Sequence, residues 1–245
     1  MNNWTVFTES AYSNLLSLAK EQYEFINYTS ELNAENIVLW RHDVDFSVHR
    51  ALRLAEVESE QGVASTFFFP LSCIFYNIFE HTVLERIRRI VKLGHTIGLH
   101  FDPSLYEEKC KEAVLEKMAW EKTVLENLFE TGIHAVSFHN PEYDDWLSMD
   151  AHTLCGMVNT YSRYFKENFG YCSDSNGYWR FESIESVLRS KKYSRLQVLT
   201  HPAWWTAEPM PPRKRIQRCV EGRAKQCMEQ YDGILAKSGR MNIDD

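Results

Sequence analysis

Short apolar segments alternate with helical segments along most of this chain, and this alternation restricts the folds that it can adopt. Strands are predicted where the apolar runs are short and bounded by polar residues, at 37–40, 64–69, 96–100, 135–138 and 196–200, with weaker signals near 158–161 and at 171. Helices are predicted between these runs, at about 10–25, 48–61, 81–93, 105–129 and 184–189, with a polar helical tail at about 211–240. Repeated strand-then-helix order with short connections is typical of parallel strands in a layered or barrel α/β fold.

The domain organisation predicted from the sequence is simple. The chain has no internal repeat, no low-complexity run and no glycine-rich linker, so we predict one domain over residues 1–245 with the helices at 10–25 and 211–240 packed on the outside. Lys and Arg number 27 against 34 Asp and Glu, and the resulting net charge of −7 argues against nucleic acid as a partner. The triplet Arg213-Lys214-Arg215 is interpreted as the solvated start of the tail helix, with phosphate binding as the alternative.

The lack of a targeting signal and the spacing of the cysteines favour a cytoplasmic protein. The N-terminus lacks the basic start and apolar core of a secretory signal, and no apolar stretch reaches the roughly 18 residues of a membrane span. Six cysteines are scattered without a CxxC pair, which is typical of free reduced thiols in a chain of this size.

Two carboxylates follow the first strong strand signal. Asp43 and Asp45 are separated by one residue, so on a strand their side chains point to the same face. Two like charges side by side raise each other's pKa unless a cation lies between them. This pattern therefore predicts either a metal site or an acid–base pair.

Further polar residues stand at the ends of the other predicted strands, where barrels of parallel strands carry their catalytic groups. These candidates are His100 and Asp102 after the strand at 96–100, His139 after 135–138, Asp174 in the polar turn at 173–179, and His201 after 196–200. Any one of these histidines is as often a capping or core residue, but several strand ends that offer Asp or His favour a shared site. His95 is predicted to pack beside that site rather than to bind a ligand.

Four segments occur in order between residues 37 and 205: Arg41-His42-Asp43-Val44-Asp45, Ala64-Ser65-Thr66-Phe67-Phe68-Phe69, Gly94-His95-Thr96-Ile97-Gly98-Leu99-His100 and Leu199-Thr200-His201-Pro202. Each is weak alone, but the ordered set resembles the polysaccharide deacetylase (NodB-homology) family. The resemblance implies a distorted (β/α) barrel and a metal-dependent hydrolase that acts on non-peptide C–N bonds. The chain looks like a divergent branch, similar to deacetylase-like proteins associated with surface-polysaccharide biosynthesis.

Carried over by position, the resemblance assigns roles to five residues. It implies that Asp43 is the general base, that Asp45 and His100 bind the metal ion, and that His201 is the general acid with Asp174 as its partner.

Two positions depart from the family's pattern. Ser104 stands where a second metal-binding histidine is usual, and His139 stands where an arginine usually orients the base. We therefore predict His139 as the third metal ligand, with Asp102 as the next candidate. Oxygen and nitrogen ligands together favour one zinc ion, with iron, cobalt, nickel and manganese as alternatives.

The expected substrate is a small molecule. The resemblance implies removal of an acyl group from the amide nitrogen of an amino sugar, in a nucleotide- or carrier-linked form or free, during surface-glycan biosynthesis. The alternatives are an amidase that acts on another C–N bond of a small metabolite and a catalytically silent barrel that binds a sugar or a protein partner. Aromatic residues in loops are candidates for stacking on a sugar or for packing, namely Phe75, Tyr76, Tyr143, Trp146 and Trp179.

Overall fold

One mainly parallel sheet organises the chain in this computed structural model, which describes residues 3–107, 110–140, 150–179 and 181–243. Its nine described strands are β1 (Glu24–Ile26), β2 (Ile37–Asp43), β3 (Thr66–Phe69), β4 (Thr96–Phe101), β5 (Ala135–Phe138), β6 (Thr153–Leu154), β7 (Met157–Asn159), β8 (Gly170–Ser173) and β9 (Arg195–Thr200). Their order is β6-β7-β5-β4-β3-β2-β9-β8, and β1 pairs with the first half of β2. Only β6 and β7 are antiparallel among these pairs.

Seven helices within the described residues accompany the sheet. They are α1 (Glu9–Lys20), α2 (Val48–Glu60), α3 (His81–Lys92), α4 (Lys111–Phe129), α5 (Arg163–Asn168), α6 (Ile184–Ser190) and α7 (Pro212–Lys237), and short 3-10 turns lie at Asn3–Val6, Pro103–Leu105 and Pro202–Trp204. The sheet curls into a half-barrel surrounded by helices, so the predicted α/β class with parallel strands is confirmed. None of the described helices combines the length and the hydropathy needed to cross a lipid bilayer.

Three local predictions are wrong. The helix predicted at 10–25 ends at Lys20, because residues 24–26 pair with β2. The helix predicted at 105–129 begins at Lys111, because Asp102 caps a 3-10 turn over Pro103–Leu105. The basic triplet is not uniformly solvated, since Arg215 is fully buried and its Nη2 donates a hydrogen bond to the carbonyl of Trp4 over 2.8 Å.

Strand β2 connects the core to the site. It is buried along its whole length, and alternate residues pack in different clusters. Val38 and Trp40 pack with the apolar face of α1, whereas Ile37 and Leu39 pack with residues of neighbouring strands such as Phe68. By the period of two, Arg41 and Asp43 share the second of these faces. Because β2 runs parallel to β3 and β9, and β4 to β3 and β5, the carboxyl ends of these strands lie at one edge of the sheet.

Candidate active site

Three potential metal ligands meet at the carboxyl ends of the strands. Asp45 follows β2, His100 lies on β4 and His139 follows β5. Asp45 Oδ1 lies 3.1 Å from His100 Nε2 and 3.6 Å from His139 Nδ1, and the two histidine nitrogens are 3.2 Å apart. One ligand atom from each residue lies within 4.8 Å of the other two. Residues far apart in the chain are therefore brought to one point.

This group of atoms fits a divalent cation. Asp45 Oδ1 is buried and no donor reaches it in hydrogen-bond geometry, although two imidazole nitrogens surround it. Burial alone would raise the pKa of Asp45, but the imidazoles of His100 and His139 outweigh it and hold the pKa well below the usual range. An ionised carboxylate with two imidazoles is a ligand set that zinc and similar first-row metals accept, with positions left open for other ligands.

Asp43 lies beside these ligands with its two oxygens in different surroundings. Its Oδ2 accepts hydrogen bonds from Ser137 Oγ over 2.9 Å and from Arg41 Nη2 over 3.4 Å, and it lies 3.8 Å from His100 Nδ1. Its Oδ1 is buried and has no hydrogen-bond partner within the described residues. The neighbours thus fix one carboxylate oxygen and leave the other as an acceptor.

His201 and Asp174 form a pair on the other side of Asp45, in which Asp174 is buried and His201 is partly exposed. His201 Nδ1 lies 2.5 Å from Asp174 Oδ1, and the backbone N–H of His201 donates to the same carboxylate. The Asp174 carboxylate also accepts from Trp205 Nε1 over 3.3 Å. The imidazole therefore turns its Nε2 toward Asp45, whose Oδ2 lies 3.7 Å away.

This pair determines the charge of the imidazole. Burial would lower the pKa of His201, but the Asp174 carboxylate, with smaller contributions from Asp45 and Asp43, raises it to about 9. His201 is then mostly protonated at neutral pH and can donate a proton from Nε2.

Arg41 and Ser137 are site residues that the sequence reasoning missed. Arg41 is fully buried, and its guanidinium contacts both Asp43 and the hydroxyl of Tyr161, the latter over 2.8 Å. Among the described residues, Arg41 is thus the arginine beside Asp43, whereas His139, at the position where the resemblance expects an arginine, lies near Asp45. The sequence contains a signal for both residues, because each lies two positions before a predicted site residue. Arg41 precedes Asp43 in this way, and Ser137 precedes His139.

Asp102 and Ser104 do not join the three ligands. Asp102 Oδ1 accepts hydrogen bonds from the backbone N–H and the hydroxyl of Ser104, so it is used to cap a turn. Asp102 is also not among the residues whose ligand atoms converge. His95 lies in the core, where its Nε2 donates to the carbonyl of Ala55 over 2.9 Å and its Nδ1 accepts from the backbone of Ser65.

Three of the loop aromatics have structural contacts. Phe75 packs edge-on against Phe46, with ring centroids 4.8 Å apart. Tyr76 is buried and donates its hydroxyl hydrogen to the carbonyl of Val44 over 2.8 Å. Trp179 packs against Phe7, with ring centroids 4.7 Å apart. Tyr143 and Trp146 lie outside the described residues.

Neither a family model nor a curated protein matches the sequence. Solved structures do. The deacetylase PplD of Streptococcus pyogenes is 13% identical with a TM-score of 0.45, and the alignment covers 85% of each chain. The chitin deacetylase of the fungus Colletotrichum lindemuthianum is 16% identical with a TM-score of 0.43, over 82% of this chain and 86% of that one.

A CE4 family pseudoenzyme from Bacillus anthracis is 15% identical with a TM-score of 0.43, over 82% of this chain, which spans only 63% of that protein. Two of these three structural neighbours are thus deacetylases and the third is a CE4 family pseudoenzyme.

Proposed function

We propose that this protein is a metal-dependent hydrolase that removes the acyl group from the amide nitrogen of an amino sugar. One observation carries the proposal: Asp45, His100 and His139 converge between the buried carboxylate of Asp43 and the imidazole of His201. Amide hydrolysis needs a proton acceptor, a charge stabiliser and a proton donor, and these residues supply all three at one site.

Asp45, His100 and His139 would hold one divalent ion, with zinc as the expected metal. A bound ion of this type polarises the acyl oxygen and lowers the pKa of water to about 7. Asp45 supports binding because it stays ionised down to low pH.

Asp43 is the proposed general base. Arg41 and Ser137 engage its Oδ2, which leaves the unpartnered Oδ1 to accept a proton from the attacking water. Arg41 is a positioning residue in this scheme, because its buried cation keeps the carboxylate oriented and offsets the charge of Asp43.

His201 is the proposed general acid. Its Nδ1 is bound to Asp174, so the proton available to the substrate is the one on Nε2, which faces the metal-ligand group. Transfer of that proton to the leaving nitrogen avoids expulsion of an amide anion. General acid–base steps of this kind contribute about 10²- to 10⁴-fold in rate.

We also propose that the protein acts in surface-glycan biosynthesis and that residues 1–245 form a single domain. The sequence resemblance supports the first. The single sheet that includes strands from Glu24 to Thr200 supports the second.

The test is acyl release together with metal analysis. Protein loaded with zinc and desalted should retain about one equivalent, and it should release acetate or formate from at least one member of a panel of N-acyl amino sugars, free and nucleotide-linked. An Asp45→Asn variant should lose both properties, whereas Asp150→Asn, at an exposed carboxylate, should keep both. Wild-type protein that keeps well under one equivalent would favour the silent barrel, and release only from non-sugar amides would favour the amidase.

A further inference from the structure

A cavity of about 380 Å³ lies next to the candidate active site. Its walls come from the start of α2, from α3, from the loop at 75–76 and from α7. Phe46 is one wall and directly follows Asp45 in the chain. The Phe46 ring also contacts Trp204, at a centroid distance of 5.3 Å, and Trp204 lies three residues after His201. The cavity is therefore at the same end of the sheet as the proposed acid, base and metal ligands.

The cavity walls carry more positive than negative charge. Arg50 and Arg223 line it but are already paired, with Glu9 and Glu80 respectively. Arg86 and Arg218 also line it, and within the described residues neither forms an ion pair. Two uncompensated guanidiniums thus face one space in a chain whose net charge is −7.

The surroundings strengthen this positive potential. Burial and three nearby guanidiniums, that of Arg86 first among them, lower the pKa of His49 at the cavity wall. Helix α2 also begins at the cavity with Ser47 as its N-cap and no acidic residue in its first turn. The partial positive charge of a helix N-terminus adds to that of the arginines and favours an anion.

We infer that this cavity binds the phosphate groups of the substrate, so that the acyl amino sugar is a phosphorylated one, such as a sugar linked through a diphosphate. This inference rests on the proposed function. A planar guanidinium can donate two parallel hydrogen bonds to phosphate oxygens. Arg86 and Arg218 are therefore suitable donors for a phosphate group in the cavity. The volume lies within the range of small-molecule sites, so more than one phosphate group fits.

Binding can be measured without activity. Calorimetric titration with UDP should show saturable binding to the zinc-loaded protein and to Asp45→Asn, because the cavity does not include the metal ligands. The double variant Arg86→Gln/Arg218→Gln should bind UDP at least about tenfold more weakly, equivalent to about 1.4 kcal/mol. The double variant Arg89→Gln/Arg213→Gln removes two exposed charges from the same helices and should change affinity less than about twofold.

Either equal affinities for the two double variants or no saturable binding by the wild-type protein overturns the inference. Thermal melting shows whether each variant is folded. If the Arg86→Gln/Arg218→Gln variant does not fold, the single variants Arg86→Gln and Arg218→Gln are compared with the wild-type protein for UDP affinity instead.

Kinetics distinguish a phosphorylated substrate from a free anion. The two probes are UDP-N-acetylglucosamine and N-acetylglucosamine. In the Arg86→Gln/Arg218→Gln variant, KM for UDP-N-acetylglucosamine should rise by about tenfold or more, and KM for N-acetylglucosamine should stay unchanged. UDP binding at the cavity with no preference for the phosphorylated probe overturns the substrate assignment and indicates an anion effector. UDP binding without acyl release from any probe contradicts the proposed function but leaves the phosphate site in place.

Discussion

Replacement of Asp174 with asparagine tests whether this carboxylate keeps His201 protonated. Asparagine has the same shape, and its carbonyl oxygen can still accept the hydrogen bonds from the backbone and the imidazole of His201. The negative charge is lost, together with the Oδ2 acceptor for Trp205 Nε1, because an amide NH2 takes its place. Burial lowers the pKa of His201 and would then be opposed only by Asp45 and Asp43, so the pKa should fall from about 9 toward the ordinary 6.5.

The size of the effect follows from that change. A fall from about 9 to 6.5 corresponds to about 3.4 kcal/mol at 1.36 kcal/mol for each pKa unit. At pH 8 the protonated fraction of His201 would drop from about 90% to about 3%, a loss of about thirtyfold in active enzyme. At pH 6 most of the imidazole stays protonated in both proteins, so the variant should lose little through this route.

The assay is kcat/KM as a function of pH for the wild-type protein and Asp174→Asn, with Asp150→Asn as a control at an exposed carboxylate. We expect the alkaline limb of the profile to move to lower pH in Asp174→Asn alone. A loss of the same size at pH 6 and pH 8 would refute the reasoning, because it would mean that Asp174 acts through structure and not through the proton on His201.

Three further perturbations test other contacts. His139→Ala should reduce bound zinc to below about a tenth of an equivalent while Ser104→Ala retains it, and equal retention by both variants would remove His139 from the ligand set. Arg41→Met should lower the free energy of unfolding by about 3–5 kcal/mol in urea titrations, because it leaves the Asp43 carboxylate buried without its cation, and a loss under about 1 kcal/mol would contradict this. Burial raises the pKa of Glu121 to about 7, so in the folded protein its ionisation is opposed and stability falls as pH rises from its ordinary 4.5 through 7. Glu121→Gln should therefore raise Tm at pH 8 and leave it nearly unchanged at pH 5, and an equal change at both values would rule out this cause.

Much of the fold was predictable because the signals are local. The strands at Thr96–Phe101, Ala135–Phe138 and Arg195–Thr200 are short apolar runs bounded by polar residues, and each was placed within a residue or two. Strand β1 and helix α5 were not predictable in this way. They span three and six residues, which is too short for a period to show, and β1 forms because its backbone pairs with β2.

The candidate site was partly predictable for the same reason. A period of two predicted that Asp43 and Asp45 lie together; both are at the site, although β2 ends at Asp43 and Asp45 follows it. The same period places Arg41 on the face of Asp43. The role of a buried arginine follows from the side chain that it contacts, which here is Asp43. That His139, and not Asp102, reaches Asp45 depends on where β5 lies relative to β2.

By itself, the sequence determined which segments are strands and helices and which polar residues stand at strand ends, because backbone periodicity acts over a few neighbouring residues. Only the tertiary structure decided which of those residues touch: the group of Asp45, His100 and His139, the pair of His201 with Asp174, and the cavity between α2, α3 and α7. The α7 residues Arg215 and Arg218 illustrate the difference. Three positions apart on one helix, they are alike in sequence, but one is buried against Trp4 and the other faces the cavity, because packing against distant segments sets the environment of each side chain.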